Sequence, residues 1–187
     1  MIKKTTLFLI ILIILSYSTV TFAKISVPGH KQTVLGLYIT AKDAYSKWLS
    51  DPANVKILDI RTQAEYIFVG HPQMATNIPF TFLQTTVNLE PVRASMHVNK
   101  KFIDDVKKRY KKTDLIMVIC RSGNRSAAAV NVLAKAGFKN LYSVIDGFEG
   151  GSSKTKGINY GKRVVDGWKN SGIPWTYRLD PRLIYGP

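Results

Sequence analysis

The chain has 187 residues, of which 45% are hydrophobic and 21% charged. This length and composition fit one globular domain with appendages and exclude a disordered chain of low hydrophobicity. Its only cysteine, Cys120, excludes an internal disulfide, and a formal charge of +15 favours nucleic acid, anionic lipid or small anions as partners.

The first residues have the order of an export signal. Lys3 and Lys4 precede an unbroken apolar run over residues 7–15, and a more polar stretch then ends in the small-residue pattern Thr-Phe-Ala at residues 21–23. A basic start, a short apolar run and small residues before a cut are typical of secretory signal peptides.

We therefore predict that residues 1–23 are a signal peptide cleaved between Ala23 and Lys24, which places the mature protein in the periplasm or outside the cell. An uncleaved membrane anchor is the alternative. Cleavage removes two lysines and no acid, so the formal charge falls from +15 to +13. Export argues against nucleic acid as a partner, and cleavage leaves no stable membrane insertion.

Residues 24–39 indicate an irregular N-terminal arm, because they hold Pro28, Gly29 and Gly36. The domain proper is predicted over residues 40–187.

Regular elements follow the arm. Thr40 and Asp43 have the spacing of a capping box, and apolar residues at helical spacing predict a helix to about Ser50. Residues 55–60 and 115–119 are continuous apolar runs without alternation, which is typical of strands buried on both faces.

The remaining segments continue this alternation. Residues 100–112 carry an apolar helical stripe opposite a lysine-rich face, residues 126–136 have helical spacing, and residues 141–145 predict another strand. Strands alternating with helices predict an α/β domain with a parallel sheet, in which sites form at the carboxyl ends of strands.

Two longer stretches are predicted to be insertions. Residues 81–99 contain Pro91 and few apolar positions at any period, so we expect a surface excursion. Residues 151–166 are rich in Gly, Ser and Lys and follow the strand at 141–145. They either line the site at the strand ends or form a surface loop.

The loop after the strand at 115–119 carries the candidate chemistry. It runs through six residues: Cys120, Arg121, Ser122, Gly123, Asn124 and Arg125. Small residues between a strand and a helix allow backbone N–H groups to point inward above the positive end of the helix, where they bind an anion. These groups and the two arginines favour the thiolate of Cys120, which makes it a nucleophile. The alternative is an inert cysteine ending a strand.

This loop, together with Ser126, resembles the active-site loop of the rhodanese-homology superfamily. Other motifs of that superfamily agree in order over residues 55–175: Leu58-Asp59-Ile60-Arg61, Glu65-Tyr66, Gly70-His71-Pro72, Asn77-Ile78-Pro79, Gly137-Phe138, Asp146-Gly147 and Gly172-Ile173-Pro174. The resemblance implies a three-layer α/β domain with a central parallel five-stranded sheet, and a cysteine that cycles between thiolate and persulfide.

The resemblance also implies supporting residues. Asp59 and Arg61 would brace the loop from the neighbouring strand, although a surface ion pair is an equal alternative for Arg61. Glu65 would pair with a loop arginine, and Ser126 would support the loop from the following helix.

Loop length separates two branches of the superfamily. Six residues from Cys120 to Arg125 resemble the sulfurtransferases, whereas one residue more would give the Cys-x5-Arg loop of the related phosphatases. Phosphoryl or arsenate chemistry is therefore the weaker expectation.

The expected function is transfer of sulfane sulfur from thiosulfate, or a related small anionic donor, to a thiophilic acceptor through a Cys120 persulfide. Residues 121–125 would bind the donor. We expect no cofactor and no metal, because no cluster has metal-ligand spacing. The alternatives are a non-catalytic binding module, and a persulfide or thiol redox carrier for an exported protein partner.

Sequencing the N-terminus of the protein recovered from the cell envelope tests the export prediction. The sequence should begin at Lys24, because the small-residue pattern of residues 21–23 suits a signal peptidase. A chain that begins at Met1 and sediments with membranes would show an anchor instead.

Overall fold

The computed structural model describes residues 26–90 and 92–186, so the predicted signal peptide lies outside the described residues. Nine strands and three α-helices are described: β1 (Tyr38–Ile39), α1 (Ala41–Ser50), β2 (Val55–Asp59), β3 (Thr76–Asn77), β4 (Thr81–Leu89), β5 (Val92–Val98), α2 (Phe102–Arg109), β6 (Leu115–Ile119), α3 (Asn124–Lys135), β7 (Leu141–Val144), β8 (Gly151–Ser152) and β9 (Arg163–Val165). Short turns of 3-10 helix at Gly29–Lys31 and Trp168–Asn170 and of π-helix at Glu65–Val69 complete the described elements. No helix among these residues is long and apolar enough to span a bilayer.

The central sheet has five parallel strands in the order β1-β7-β6-β2-β3. Successive residues of β2 and β6 face opposite layers. Leu58 and Val118 pack with α2 and α3, whereas Ile57 and Met117 pack with α1 and Trp168. Both faces are therefore covered, which explains the unbroken apolar runs and confirms the predicted three-layer α/β class.

The helix predicted after Thr40 is confirmed as α1. The N–H of Asp43 donates to Thr40 Oγ1 over 3.2 Å, which caps the first turn. The strands predicted at residues 55–60, 115–119 and 141–145 are present as β2, β6 and β7.

The prediction of an irregular arm over residues 24–39 is wrong at its end. Tyr38 and Ile39 form β1, which pairs with Ser143 and Val144 of β7 at the edge of the sheet. Two residues are too few to show a period, so the pairing depends on the free edge of β7 and not on a local pattern.

The stretch predicted as a surface excursion over residues 81–99 is an antiparallel hairpin of β4 and β5. Its register shifts between Leu83 and Val87. Three residues of β4 and one residue of β5 lie between the pairs Leu83–Met96 and Val87–Ala94, so the ladder is irregular at this point.

A buried ion pair joins β2 to the residues that follow it. Arg61 Nη2 lies 2.6 Å from Asp59 Oδ2, both side chains have no exposed surface, and Nη2 also donates to the carbonyl oxygen of Gly70 over 2.8 Å. The guanidinium carbon stands 4.1 Å from the ring centroid of Phe148. The interpretation of Arg61 as a surface ion pair is therefore wrong, because the arginine is enclosed beneath the sheet's carboxyl edge.

Replacing Arg61 with methionine should lower the free energy of unfolding by about 3–5 kcal/mol, since Asp59 then keeps a buried charge without a counter-charge. Urea denaturation at neutral pH measures this loss. Arg182→Met is the matched control, because Arg182 pairs with Asp180 at the same 2.6 Å while 84% of its side chain is exposed. That control should leave stability nearly unchanged. Equal losses in both variants would show that burial does not determine the effect.

Candidate active site

Cys120 lies directly after β6, at the carboxyl edge of the sheet, and only 1% of its surface is exposed. The N–H of Gly123 donates to its Sγ over 3.2 Å, and Ser126 Oγ lies 3.5 Å from the same sulfur. Residues 121–123 form the turn between Cys120 and the start of α3 at Asn124. The sulfur thus sits inside a short loop at the positive end of a helix.

Gly123 gives the loop its curvature. Its φ of 97° is a left-handed conformation that other residues rarely adopt, and a Cβ there would overlap the carbonyl oxygen of Ile145. Ser126 Oγ donates to the carbonyl oxygen of Gly123 over 3.0 Å. Ser126 therefore supports the loop through a hydrogen bond to the turn at Gly123.

A second segment, residues 147–149, encloses the loop from the neighbouring strand. The N–H of Phe148 donates to the carbonyl oxygen of Cys120 over 2.7 Å, and the N–H of Glu149 donates to that of Arg121 over 2.9 Å. A Cβ on Gly147 would stand 2.6 Å from the Cys120 oxygen. These residues were not predicted to belong to the site, although a glycine just past the end of a parallel strand was a usable signal.

Asp146 ties this segment to two other parts of the chain. Its carboxylate accepts the N–H of Ala41, at the start of α1, over 2.8 Å and the N–H of Gly167 over 3.0 Å. Burial raises the pKa of Asp146, while these two donors act against that rise. The carboxylate holds the end of β7, α1 and the start of the Trp168–Asn170 turn in one arrangement.

Arg125 is the loop arginine that forms a bidentate ion pair with Glu65. Arg125 Nη1 and Nη2 donate to the two carboxylate oxygens over 2.7 and 2.5 Å, and less than a fifth of either side chain is exposed. Glu65 also accepts from the N–H of Thr62. This pair anchors the loop to the Glu65–Val69 turn, and binding of the donor by Arg125 stays a prediction.

The other residues predicted to bind the donor surround the loop's outer side. Arg121 and Asn124 are exposed and Ser122 is half-buried. The guanidinium of Arg121 forms no hydrogen bond or ion pair with any described residue. The loop therefore presents one unengaged positive side chain of its own.

The stretch predicted as an insertion at residues 151–166 contains β8 and β9, which pair antiparallel. A groove of about 230 Å³ separates it from the cysteine loop and from the N-terminal arm. The loop contributes Ser122 to the groove wall, and the insertion contributes Gly151 and Val165. The insertion thus lies beside the site and lines its flank.

Among residues 26–90 and 92–186, no three His, Cys, Asp or Glu side chains lie close enough together to hold a metal ion.

Comparison with known proteins identifies the family of this chain. The family model described as a rhodanese-like domain matches residues 41–154. The uncharacterized protein RP600 of Rickettsia prowazekii is 32% identical over 126 residues, which cover 66% of this chain and 85% of that protein. The crystal structure of Rv0390 from M. tuberculosis aligns with a TM-score of 0.60 at 28% identity and covers 75% of this chain and 96% of that one.

A relative with a named activity is also similar. Thiosulfate sulfurtransferase 16, chloroplastic, of Arabidopsis thaliana is 30% identical over 96 residues, which cover 51% of this chain and 72% of that protein. The fold and the site together define an α/β domain with a cysteine-containing loop at the carboxyl edge of its parallel sheet. The chain belongs to the rhodanese-like domain family, since the family model matches more than half of its length.

The Glu65–Arg125 pair makes stability depend on pH. Burial acts to raise the pKa of Glu65, but the hydrogen bonds and charge of Arg125 outweigh it and hold that pKa below its ordinary 4.5. A lowered pKa stabilises the fold above the ordinary value, and this stabilisation is lost as the pH falls through the lowered pKa. Glu65→Gln should therefore lower the free energy of unfolding by roughly 1.5–3 kcal/mol at pH 7, and by progressively less below pH 4.5.

Urea denaturation of parent and variant at pH 7, 5, 4 and 3 measures this difference. Arg125→Gln is the matched control, because it removes the other member of the pair. The double variant should lose less free energy of unfolding than the two single variants added together. If Glu65→Gln lowered the free energy of unfolding by the same amount at every pH, the ion pair would not be the source of the pH dependence.

Proposed function

We propose that this protein is a sulfurtransferase that carries sulfur on Cys120 as a persulfide. The thiolate attacks the outer sulfur of thiosulfate, the sulfur–sulfur bond of thiosulfate breaks, and sulfite leaves with the bonding electron pair. In the second step a thiophilic acceptor attacks the outer sulfur of the persulfide, and the thiolate of Cys120 is restored. The total charge is conserved in each step.

The observation that carries this proposal is the position of Cys120 Sγ inside the loop. A buried thiolate needs hydrogen-bond donors in place of water. The N–H of Gly123 supplies one at 3.2 Å, and the first amides of α3 have no acceptor within the helix. The same donors would stabilise the terminal sulfur of a persulfide, whose negative charge lies one bond further from Cβ.

The surroundings also suit an anionic donor. The nearby carboxylate Glu65 is already paired with Arg125, so it does not repel an incoming anion as a free carboxylate would. Arg121 remains free at the loop's rim. The relative named a thiosulfate sulfurtransferase supports thiosulfate as the donor to test first.

The acceptor is proposed to be a small thiophile or an exported protein. The groove of about 230 Å³ that Ser122 helps to line supports binding of an acceptor next to the loop. A binding module without turnover would have no use for a nucleophile held by an N–H donor, whereas a persulfide enzyme requires one.

Cys120→Ser should abolish thiocyanate formation from thiosulfate and cyanide, because a hydroxyl at this position is not a nucleophile without a general base. Intact mass measurement after incubation with thiosulfate should show one added sulfur atom on the parent and none on the variant. Since Cys120 is the only cysteine, an added sulfur on the chain can be assigned to it without further mapping.

Cys120→Ala serves as a second variant, and circular dichroism with thermal melting checks that both keep the fold. A parent that gains no sulfur, or a folded Cys120→Ser protein that still forms thiocyanate, would refute the persulfide mechanism.

A further inference from the structure

The insertion ends in a tip that projects into solvent. Two backbone hydrogen bonds close its base: the N–H of Ser153 donates to the carbonyl oxygen of Lys162 over 2.8 Å, and the N–H of Gly161 donates to that of Ser153 over 3.0 Å. Residues 154–161, which we call the insertion tip, are all exposed. A Cβ on Gly157 or on Gly161 would meet no heavy atom within 4 Å, so the space around the tip is open.

Two tight turns give the insertion tip a defined shape. The N–H of Tyr160 donates to the carbonyl oxygen of Gly157 over 3.0 Å, and the N–H of Lys162 donates to that of Asn159 over 3.0 Å. Each of these bonds closes a turn of four residues. Gly157 has a φ of 131°, a conformation that residues with a side chain rarely adopt. The side chains of the tip are therefore presented on an ordered backbone.

Two large side chains with apolar surface stand on this tip. Ile158 is 87% exposed, more than any other large hydrophobic residue of the described structure, and Tyr160 is 65% exposed. Keeping this surface in water is unfavourable, because apolar area is stabilised when it leaves water. A contact that covers Ile158 and Tyr160 would therefore gain free energy.

Positive charge surrounds these two side chains. Residues 150–165 contain three lysines and one arginine, and no aspartate or glutamate. The three lysines, Lys154, Lys156 and Lys162, are exposed, and none forms an ion pair with a described carboxylate. The whole chain has a formal charge of +15, so a second copy would bring the same charge to the contact. The charge therefore favours an anionic occupant.

We propose that the insertion tip binds the surface of a lipid bilayer that contains anionic lipids. A bilayer interface offers lipid phosphates to the lysines and acyl chains to Ile158 within one contact. Tyrosine is enriched at this depth, because its ring is apolar and its hydroxyl is polar. A nucleic acid would bind the lysines but has no apolar interior for Ile158. The binding is peripheral and reversible, and it goes beyond sulfur transfer.

The place of the tip relates membrane binding to the cysteine loop. Gly151 lines the groove beside Ser122 of that loop, and only Ser152 and Ser153 separate Gly151 from the tip. Membrane binding by the tip therefore keeps this groove within a short distance of the bilayer. The family model ends at residue 154, so the tip is a feature that the family match does not include.

Cosedimentation with lipid vesicles tests the proposal. The protein recovered from the cell envelope is mixed with vesicles of phosphatidylcholine alone, or with vesicles of an equal mixture of phosphatidylcholine and phosphatidylglycerol. The parent should bind the mixed vesicles and bind the neutral vesicles much more weakly. The bound fraction should fall as salt is added, because salt screens the attraction between lysines and lipid phosphates.

The basic side chains are tested by Lys154→Gln combined with Lys156→Gln. This variant should bind the mixed vesicles about thirtyfold more weakly, because each lysine near an anionic bilayer contributes about a fivefold factor. The matched control is Lys111→Gln combined with Lys112→Gln, which removes the same charge from two exposed lysines after α2. This control should change binding by less than about twofold, because charges far from the bilayer are screened.

The apolar contact is tested by Ile158→Ser combined with Tyr160→Ser, which should weaken binding to the mixed vesicles about tenfold. Leu49→Ser is the matched control, because Leu49 is 60% exposed on α1 and lies outside the insertion. It should bind as the parent does. Thermal melting checks that each variant is folded, and all variants keep the N-terminus of the parent.

Four results would overturn the inference. The first is a parent that does not bind the mixed vesicles, the second is equal binding to neutral and mixed vesicles, and the third is equal weakening in the tip variants and their controls. The fourth uses a single-stranded oligonucleotide as probe: binding tighter than that to vesicles, and dependent on Lys154 and Lys156, would make the tip a nucleic-acid site. Each of these leaves sulfur transfer standing, because none of them measures sulfur on Cys120.

Discussion

The close backbone contact between the cysteine loop and the end of β7 is the constraint on which the site depends. Gly123 has no room for a Cβ against Ile145, and Gly147 has none against the Cys120 carbonyl. Because parallel neighbours end at the same edge of a sheet, the strands β6 and β7 deliver both glycines to one place. The cysteine is thereby held with its sulfur facing an N–H donor, and little side-chain chemistry is needed to position it.

The charged side chains around the cysteine loop are of two kinds, those that pair with an opposite charge and those that do not. The buried Arg61 and Asp59 neutralise each other beneath Phe148, and Arg125 is neutralised by Glu65. These pairs stabilise the surroundings of the loop without presenting charge to a ligand. The positive charge left for an anion on the loop itself is that of Arg121, which forms no ion pair with a described carboxylate.

Patterns within one segment were predictable, and contacts between distant segments were not. The apolar runs of β2 and β6, the cap at Thr40 and the loop at Cys120 each follow from adjacent residues. The sequence suggested that Glu65 pairs with a loop arginine, but the choice of Arg125 over Arg121 appears only in the structure. The edge strand at Tyr38–Ile39 depends on a partner 105 residues away, at Ser143, and is too short to show a period.

Whether Cys120 carries sulfur inside its loop can be seen in a crystal structure of the protein soaked with thiosulfate, because such a structure locates the transferred atom. We expect density for one additional sulfur atom bonded to Cys120 Sγ, inside the loop and within hydrogen-bond distance of the backbone N–H groups of residues 121–125. An unmodified Cys120 in a soaked crystal that remains ordered, or an added sulfur directed away from those N–H groups, would contradict the claim that this loop exists to hold a persulfide.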